Sequence, residues 1–382
     1  MAESTYRAAV DAQRIQQIRQ ITRDLPASCA DFMRGIAMTT STFTRLAYAL
    51  DLRTFFHYLR SERVAFANKP LTQFDDADIG RISQSDLEAY VEYLSLYFKD
   101  SPTETTDHAI NRPVVNHELA IKRKLSSLRS YFDYMFRSKR LPSNVTQLVA
   151  LPKIHEKPIL RLTLDEMQKM LEMSQTGADM TKGQQKFHQL TATRDYAMLS
   201  LFLGTGIRVS ECVGLNLEDV DFTQNAFLIT RKGGNQVVLY FPQEVAEALQ
   251  AYYDQRIQTD ALPGHENAFF LSLQRRRITQ RAVQNLVKKY ASYAAPLKPR
   301  ISPHKLRSTF GTNLYHATGD IYLVADVLGH TSVDTTRKHY ADMTDSRRRA
   351  AAAHVRLSQE AGGDPHASLQ EEPDKKDARA PE

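Results

Sequence analysis

A chain of 382 residues, 42% hydrophobic and 25% charged, is long enough for two folded cores and too rich in apolar residues to be largely disordered. No run of about 18 apolar residues occurs, and the opening MAESTYRAAVDAQ lacks the apolar centre of a signal peptide, so the expectation is a cytoplasmic protein with no membrane partner. Only Cys29 and Cys212 are present, with no C-x-x-C or Cys/His cluster, which argues against a disulfide framework and a structural zinc; ordinary burial accounts for both, and no metal or cofactor is expected.

The net charge of +6 suits a polyanionic partner without proving one. The segment 358–382 carries seven acidic residues against three basic ones, so the remainder is more basic than the total suggests. Along the chain, Ser41 to Arg63 predicts an amphipathic helix with Phe43, Leu46, Ala47, Leu50, Phe55 and Leu59 at helical spacing. Ile82 to Phe98 predicts another, Lys99 to Pro113 reads as a polar loop, and Val115 to Arg137 predicts a helix whose stripe is Leu125, Leu128, Phe132 and Met135. Lys122 and Arg129 flank that stripe and Arg123 lies opposite, positions from which bases reach phosphates or merely form a solvated face.

The first domain therefore reads as all-helical over 1–155. The string LPKIHEKPILR, with two prolines, marks a basic linker, set at 156–162. Thr163 with Glu166 before an apolar run is a capping-box signature that opens a second domain over 163–357. Within it AFLIT and VVLYF, separated by RKGGNQ, predict a hairpin, followed by helices over Gln243 to Thr259, Thr279 to Ala294 and Pro303 to Thr318. The fold class is mainly α, with a small antiparallel sheet in a mixed α+β second domain. Beyond 357 the composition predicts a disordered acidic tail.

Several chemically capable residues each have a plain structural reading. His304 and Arg307 share one face near a helix start, yet His57 and Arg60 have identical spacing where nothing else suggests a site. Arg208 follows two glycines, with Glu211 three residues on to orient it toward an anion or simply to pair with it at the surface. Lys232 occupies the hairpin turn, where a soluble tip needs such a residue; His330 follows a glycine helix stop; Tyr340 is one of 17 tyrosines and could be a half-buried core aromatic.

As an ordered set, Arg208, Lys232, His304, Arg307, His330 and Tyr340 are far more specific. With the strings TGIRVSE, RKGG, PHKLRST and LGHTSVDTTRKHY, the chain resembles the tyrosine recombinase (phage integrase) family, and within it the Xer recombinases of the single-protein XerS type, over roughly residues 10 to 357. One departure is Ser308, where many members carry a second histidine. The resemblance implies a helical SAM-like core-binding domain and a catalytic domain forming a clamp around one DNA recombination half-site. It also implies a homotetramer on synapsed DNA and a C-terminal helix, here Ser346 to Leu357, docked on a neighbouring protomer or packed on its own. Dependence on a DNA translocase stays open.

The residue types suit phosphoryl transfer without a metal. Two guanidiniums, Arg208 and Arg307, offset charge building on the non-bridging oxygens. Tyr340 attacks phosphorus, with His304 the candidate base and His330 a donor to a phosphate oxygen. By resemblance, Lys232 protonates the departing 5′-oxygen. Rival readings are a type IB topoisomerase, an integrase or excisionase of a mobile element, and a DNA-binding architectural protein without catalysis. The extent of the resemblance favours resolution of chromosome dimers.

Overall fold

The computed structural model describes residues 2–67, 69–99, 112–154, 160–231 and 234–330. The chain divides into two compact units, one comprising Met1–Ile159 with Val213–Asp219 and Thr259–Arg277, the other Leu160–Cys212, Val220–Gln258 and the chain from Ile278 onward. Residues 156–159 of the expected linker, the expected helix Ser346 to Leu357 and the tail 358–382 lie outside the described residues.

The first unit contains α1 (Ala2–Arg23), α2 (Ala27–Gly35), α3 (Thr42–Glu62), α4 (Asp76–Gly80), α5 (Gln84–Ser95), a hairpin of β1 (Leu96–Lys99) and β2 (Arg112–Val115), and α6 (Glu118–Arg137). Side-chain oxygens start α3, α4 and α5: Ser41 accepts from the Thr44 amide, and Asp75 and Ser83 form complete capping boxes. The core is aromatic, with Phe55, Phe56, Tyr90, Tyr131 and Phe132 fully buried and Phe55 edge-on to Tyr90 at 5.0 Å between centroids.

Two expectations need correction. The first unit is not all-helical: Leu96 leaves helical geometry and pairs with Val115, so α5 stops at Ser95 and α6 starts only at Glu118. Aromatic Tyr97 and Phe98 opposite Pro113 and Val114 favour the pleated form, and the Asn116 side-chain amide donates to the Leu94 carbonyl at 2.8 Å, satisfying the helix end. In α3, Phe43 belongs to the apolar face by spacing yet stays 65% exposed, under the Arg14 guanidinium at 5.4 Å, because it sits in the first turn, before the helix enters the core.

The second unit is built from α7 (Leu164–Thr176), α8 (Lys182–Gln189), α9 (Ala192–Thr205), the first four residues of α10 (Val209–Gly214), β3 (Val220–Asp221), β4 (Ala226–Thr230), β5 (Gln236–Tyr240), α11 (Gln243–Ile257), α12 (Gln280–Ala294), α13 (Pro303–Thr318) and α14 (Ile321–Leu328). The capping box of Thr163 and Glu166 opens α7 as the sequence predicts. The predicted hairpin is β4–β5, with Phe227 opposite Leu239, and β3 adds an unforeseen third antiparallel strand. Helix α9 is the hub: Met198, Leu199, Leu201 and Phe202 are fully buried, and it packs on α7, α11 and α13.

A buried polar network ties α8, α9 and α12 together. The Tyr290 hydroxyl donates to Asp195 at 3.0 Å and lies 3.2 Å from His188 Nδ1, while Asp195 also accepts from Thr191 and Arg194. Burial, followed by the Asp195 charge, pushes the Tyr290 phenol well above its ordinary range, which keeps it a donor. Cys29 and Cys212 are both buried thiols.

A buried ionic cluster joins α3 to α6 in the first unit. Asp51, 1% exposed, accepts from Arg123 Nη2 at 2.7 Å, Ser127 Oγ at 2.6 Å and Lys124 Nζ at 3.4 Å. Desolvating a carboxylate is costly, and only several charge-assisted bonds offset it. Replacing Asp51 with alanine strands the nearly buried Lys124 ammonium, so Asp51→Ala should lower unfolding stability by about 3–5 kcal/mol. Urea titration of the full chain measures this; a loss below about 1 kcal/mol would show the pair to be energetically idle.

Candidate active site

Helix α9 ends where Gly206 takes the left-handed conformation at φ 62, a region that favours glycine. Space also demands glycine: a Cβ there would lie 2.5 Å from the Phe310 ring and 3.0 Å from a Leu328 methyl. Ile207 is fully buried and turns the chain into α10, so Arg208 emerges at the start of that helix. Glu211, 5% exposed, then uses both oxygens on this one residue. Its Oε2 accepts from the Arg208 amide at 2.9 Å and its Oε1 from Arg208 Nη1 at 2.9 Å. The carboxylate thus fixes both ends of the arginine, while about a third of the Arg208 side chain stays open to solvent.

Helix α13 begins at Pro303, whose missing N–H costs nothing in a first turn. His304 is exposed on that turn, and Arg307, one turn on, is 6% exposed. The Arg307 guanidinium donates through Nη1 to the Gly206 carbonyl at 2.5 Å and through Nη2 to the Leu328 carbonyl. Arg208 Nη2 donates to the next carbonyl, Gly329, at 2.8 Å. The two guanidiniums therefore meet at consecutive peptides closing α14. Gly329 is left-handed there at φ 59, and the His330 amide donates back to the Ala325 carbonyl at 2.9 Å. The structure thus gathers Arg208, Glu211, Arg307 and the backbone of His330, with His304 one turn before Arg307. Ser308, at the departure from the family pattern, turns its hydroxyl to the His304 carbonyl at 3.1 Å.

Lys232 and Tyr340 lie outside the described residues. A residue missed by sequence reasoning is Arg231, which reaches the same helix end: its Nη2 donates to the Val327 carbonyl at 2.8 Å and its Nη1 to the Asp326 carbonyl at 3.2 Å. Its only sequence signal was its place in the RKGG string beside Lys232. Of the three bases suggested for DNA contact, Arg123 is engaged by Asp51 yet half exposed, Arg129 donates to the Val149 carbonyl at 2.7 Å beside a polar cleft, and Lys122 is partly exposed on α6.

Comparison with known proteins is concordant. The profile of the phage integrase family matches residues 160–347. The tyrosine recombinase XerC of Caldanaerobacter subterraneus subsp. tengcongensis is 34% identical over 319 residues, 82% of either chain. The tyrosine recombinase XerS of Lactococcus lactis subsp. cremoris is 28% identical over 349 residues, 85% of this chain and 94% of that protein. Among solved structures, the XerH site-specific recombinase bound to a palindromic difH substrate shares the fold at TM-score 0.56 and 20% identity, covering 82% of this chain and 80% of its own. The Tn1549 transposon integrase in complex with circular intermediate DNA does so at TM-score 0.58 and 20% identity, over 86% of this chain and 99% of that one. A predominantly helical fold, paired guanidiniums at one helix end and relatedness along most of the chain lead to one conclusion: the chain belongs to the tyrosine recombinase family, site-specific recombinases that cleave and rejoin DNA.

Proposed function

We propose that this recombinase acts in the cytoplasm as an Xer-like resolver of chromosome dimers, working as a homotetramer on two synapsed DNA sites. The observation that carries the reading is the meeting of Arg208 and Arg307 at the closing turn of α14, directly before His330. A guanidinium has five donors, so Arg208, anchored by Glu211 and the Gly329 carbonyl, keeps donors and an open edge for a phosphate. XerH, solved on a difH substrate, supplies the analogy for the DNA.

The chemistry follows from the residue set. Arg208 and Arg307 bind the non-bridging oxygens of the scissile phosphate and neutralise the charge that grows in the transition state. Tyr340 Oη attacks phosphorus with His304 accepting its proton, and the bond to the 5′-oxygen breaks as Lys232 protonates it. His330 donates to a phosphate oxygen. A 3′-phosphotyrosyl bond and a free 5′-hydroxyl result; attack by a 5′-hydroxyl of the other strand reverses the step and releases the tyrosine, with no nucleotide consumed. On the first unit, Lys122, Arg123 and Arg129 are the proposed contacts to the DNA backbone, with Arg123 presented by its pair with Asp51.

Three measurements bear on this reading. Tyr340→Phe should bind its site like the parent protein and form no covalent adduct on a nicked trap duplex; adduct at the parent level means the nucleophile is another residue. Lys232→Ala should slow cleavage of ordinary DNA by about 10²–10⁴-fold. A 5′-bridging phosphorothiolate, whose sulfur departs unprotonated, should restore it, and a lasting defect reassigns the general acid. Sequencing the DNA recovered with the protein from chromatin should return one site near the replication terminus, whereas the ends of a mobile element would replace dimer resolution with integration.

A further inference from the structure

Strand β4 ends at Thr230, and Arg231 begins the turn of the β4–β5 hairpin. Its amide donates across the turn to the Asn235 carbonyl at 2.8 Å. Its side chain leaves the sheet altogether and forks onto the Asp326 and Val327 carbonyls in the last turn of α14. The next two carbonyls, Leu328 and Gly329, are those taken by Arg307 and Arg208. Three guanidiniums from three different elements thus occupy four successive carbonyls.

The fit around Arg231 is close. A Cβ at position 329 would lie 2.3 Å from Arg231 Nη1 and 2.4 Å from its Cζ, so the guanidinium rests against the bare glycine backbone. Partial burial lowers the Arg231 pKa from its ordinary value; Glu211 opposes that shift and Arg208 adds to it, which puts all three side chains in one electrostatic neighbourhood. A solvated hairpin tip requires none of this. Like-charged groups gather here because the α14 terminus presents several unsatisfied carbonyls and a partial negative charge.

We propose that Arg231 is a positioning residue for strand cleavage: its fork ties the base of the β4–β5 hairpin to the α14 turn that holds Arg208 and Arg307, and losing that tie weakens leaving-group protonation by Lys232, the next residue in the chain. The proposal rests on Lys232 being the general acid. Lysine could not replace Arg231 fully, because one ammonium lacks the planar fork that spans two adjacent carbonyls.

The test is single-turnover cleavage by the full-length protein of its nicked site, carrying either an ordinary phosphodiester or a 5′-bridging phosphorothiolate. Arg231→Ala should bind the site normally, cleave the ordinary substrate at least about tenfold more slowly, and recover most of that loss on the phosphorothiolate. Arg231→Lys should fall between Arg231→Ala and the parent protein, and it carries the same comparison should Arg231→Ala fail to bind. Lys232→Ala, run alongside, separates the two ways of failing. If Lys232→Ala recovers on sulfur while the Arg231 variants are equally slow on both substrates, or if the Arg231 variants cleave at the parent rate, the positioning role is wrong. If Lys232→Ala itself does not recover, the general-acid assignment falls and takes this proposal with it.

Discussion

An α-helix leaves its last four carbonyls without partners inside the helix, and at the end of α14 this demand is shared between the Gly329 and His330 amides, which reach Asp326 and Ala325, and a set of cations. The Ala325 carbonyl accepts the His330 amide, and the carbonyls from Asp326 to Gly329 receive Arg231, Arg307 and Arg208. Hydrogen bonds from a charged donor contribute roughly 1.5–3 kcal/mol each, and the partial negative charge of a helix C-terminus adds to them. The geometry of the whole candidate site depends on this turn. It allows guanidiniums that would otherwise repel one another to share a small volume, so the phosphate clamp proposed for Arg208 and Arg307 would be preorganised.

The turn can do this only because two glycines shape it. Gly329 takes a left-handed conformation that exposes its carbonyl to Arg208 and leaves its α-carbon bare for the Arg231 guanidinium. Gly206, also left-handed, ends α9 close against Phe310 and Leu328 and offers its carbonyl to Arg307. Arg307 therefore bridges the ends of α9 and α14, and Glu211 steadies the third corner through Arg208. A side chain at Gly206 would press on Phe310 and Leu328 and part helix ends that now touch, and one at Gly329 would displace the Arg231 guanidinium.

Features written in short stretches of sequence were legible. The capping box at Thr163, the RKGG hairpin and the Arg208–Glu211 pair involve partners within a few residues, so propensity and spacing carry them. The helical stripe of α6 was equally plain, with Leu125, Leu128, Phe132 and Met135 all buried. What escaped depends on distant partners. Arg123 meets Asp51 across 72 residues and Arg231 meets Val327 across 96, distances at which local pattern says nothing. The β1–β2 hairpin escaped for a related reason: Leu96 to Lys99 continues the apolar rhythm of α5, and only pairing with Arg112–Val115 converts it to a strand.

The two H-x-x-R pairs show why spacing alone could not identify the site. His57 and Arg60 are both exposed and lie toward the C-terminal end of α3, where the helix dipole disfavours an anion. His304 and Arg307 repeat that spacing in the first turns of α13, where backbone N–H groups and the positive end of the dipole favour one. There Arg307 is driven into the interior, between the ends of two other helices. Identical residues three apart thus meet opposite fields, and their arginines, though not their histidines, differ in burial. The difference lies in which helix terminus the pair occupies and what converges on it, so the chemistry belongs to the junction of α9, α13 and α14 more than to any single string of residues.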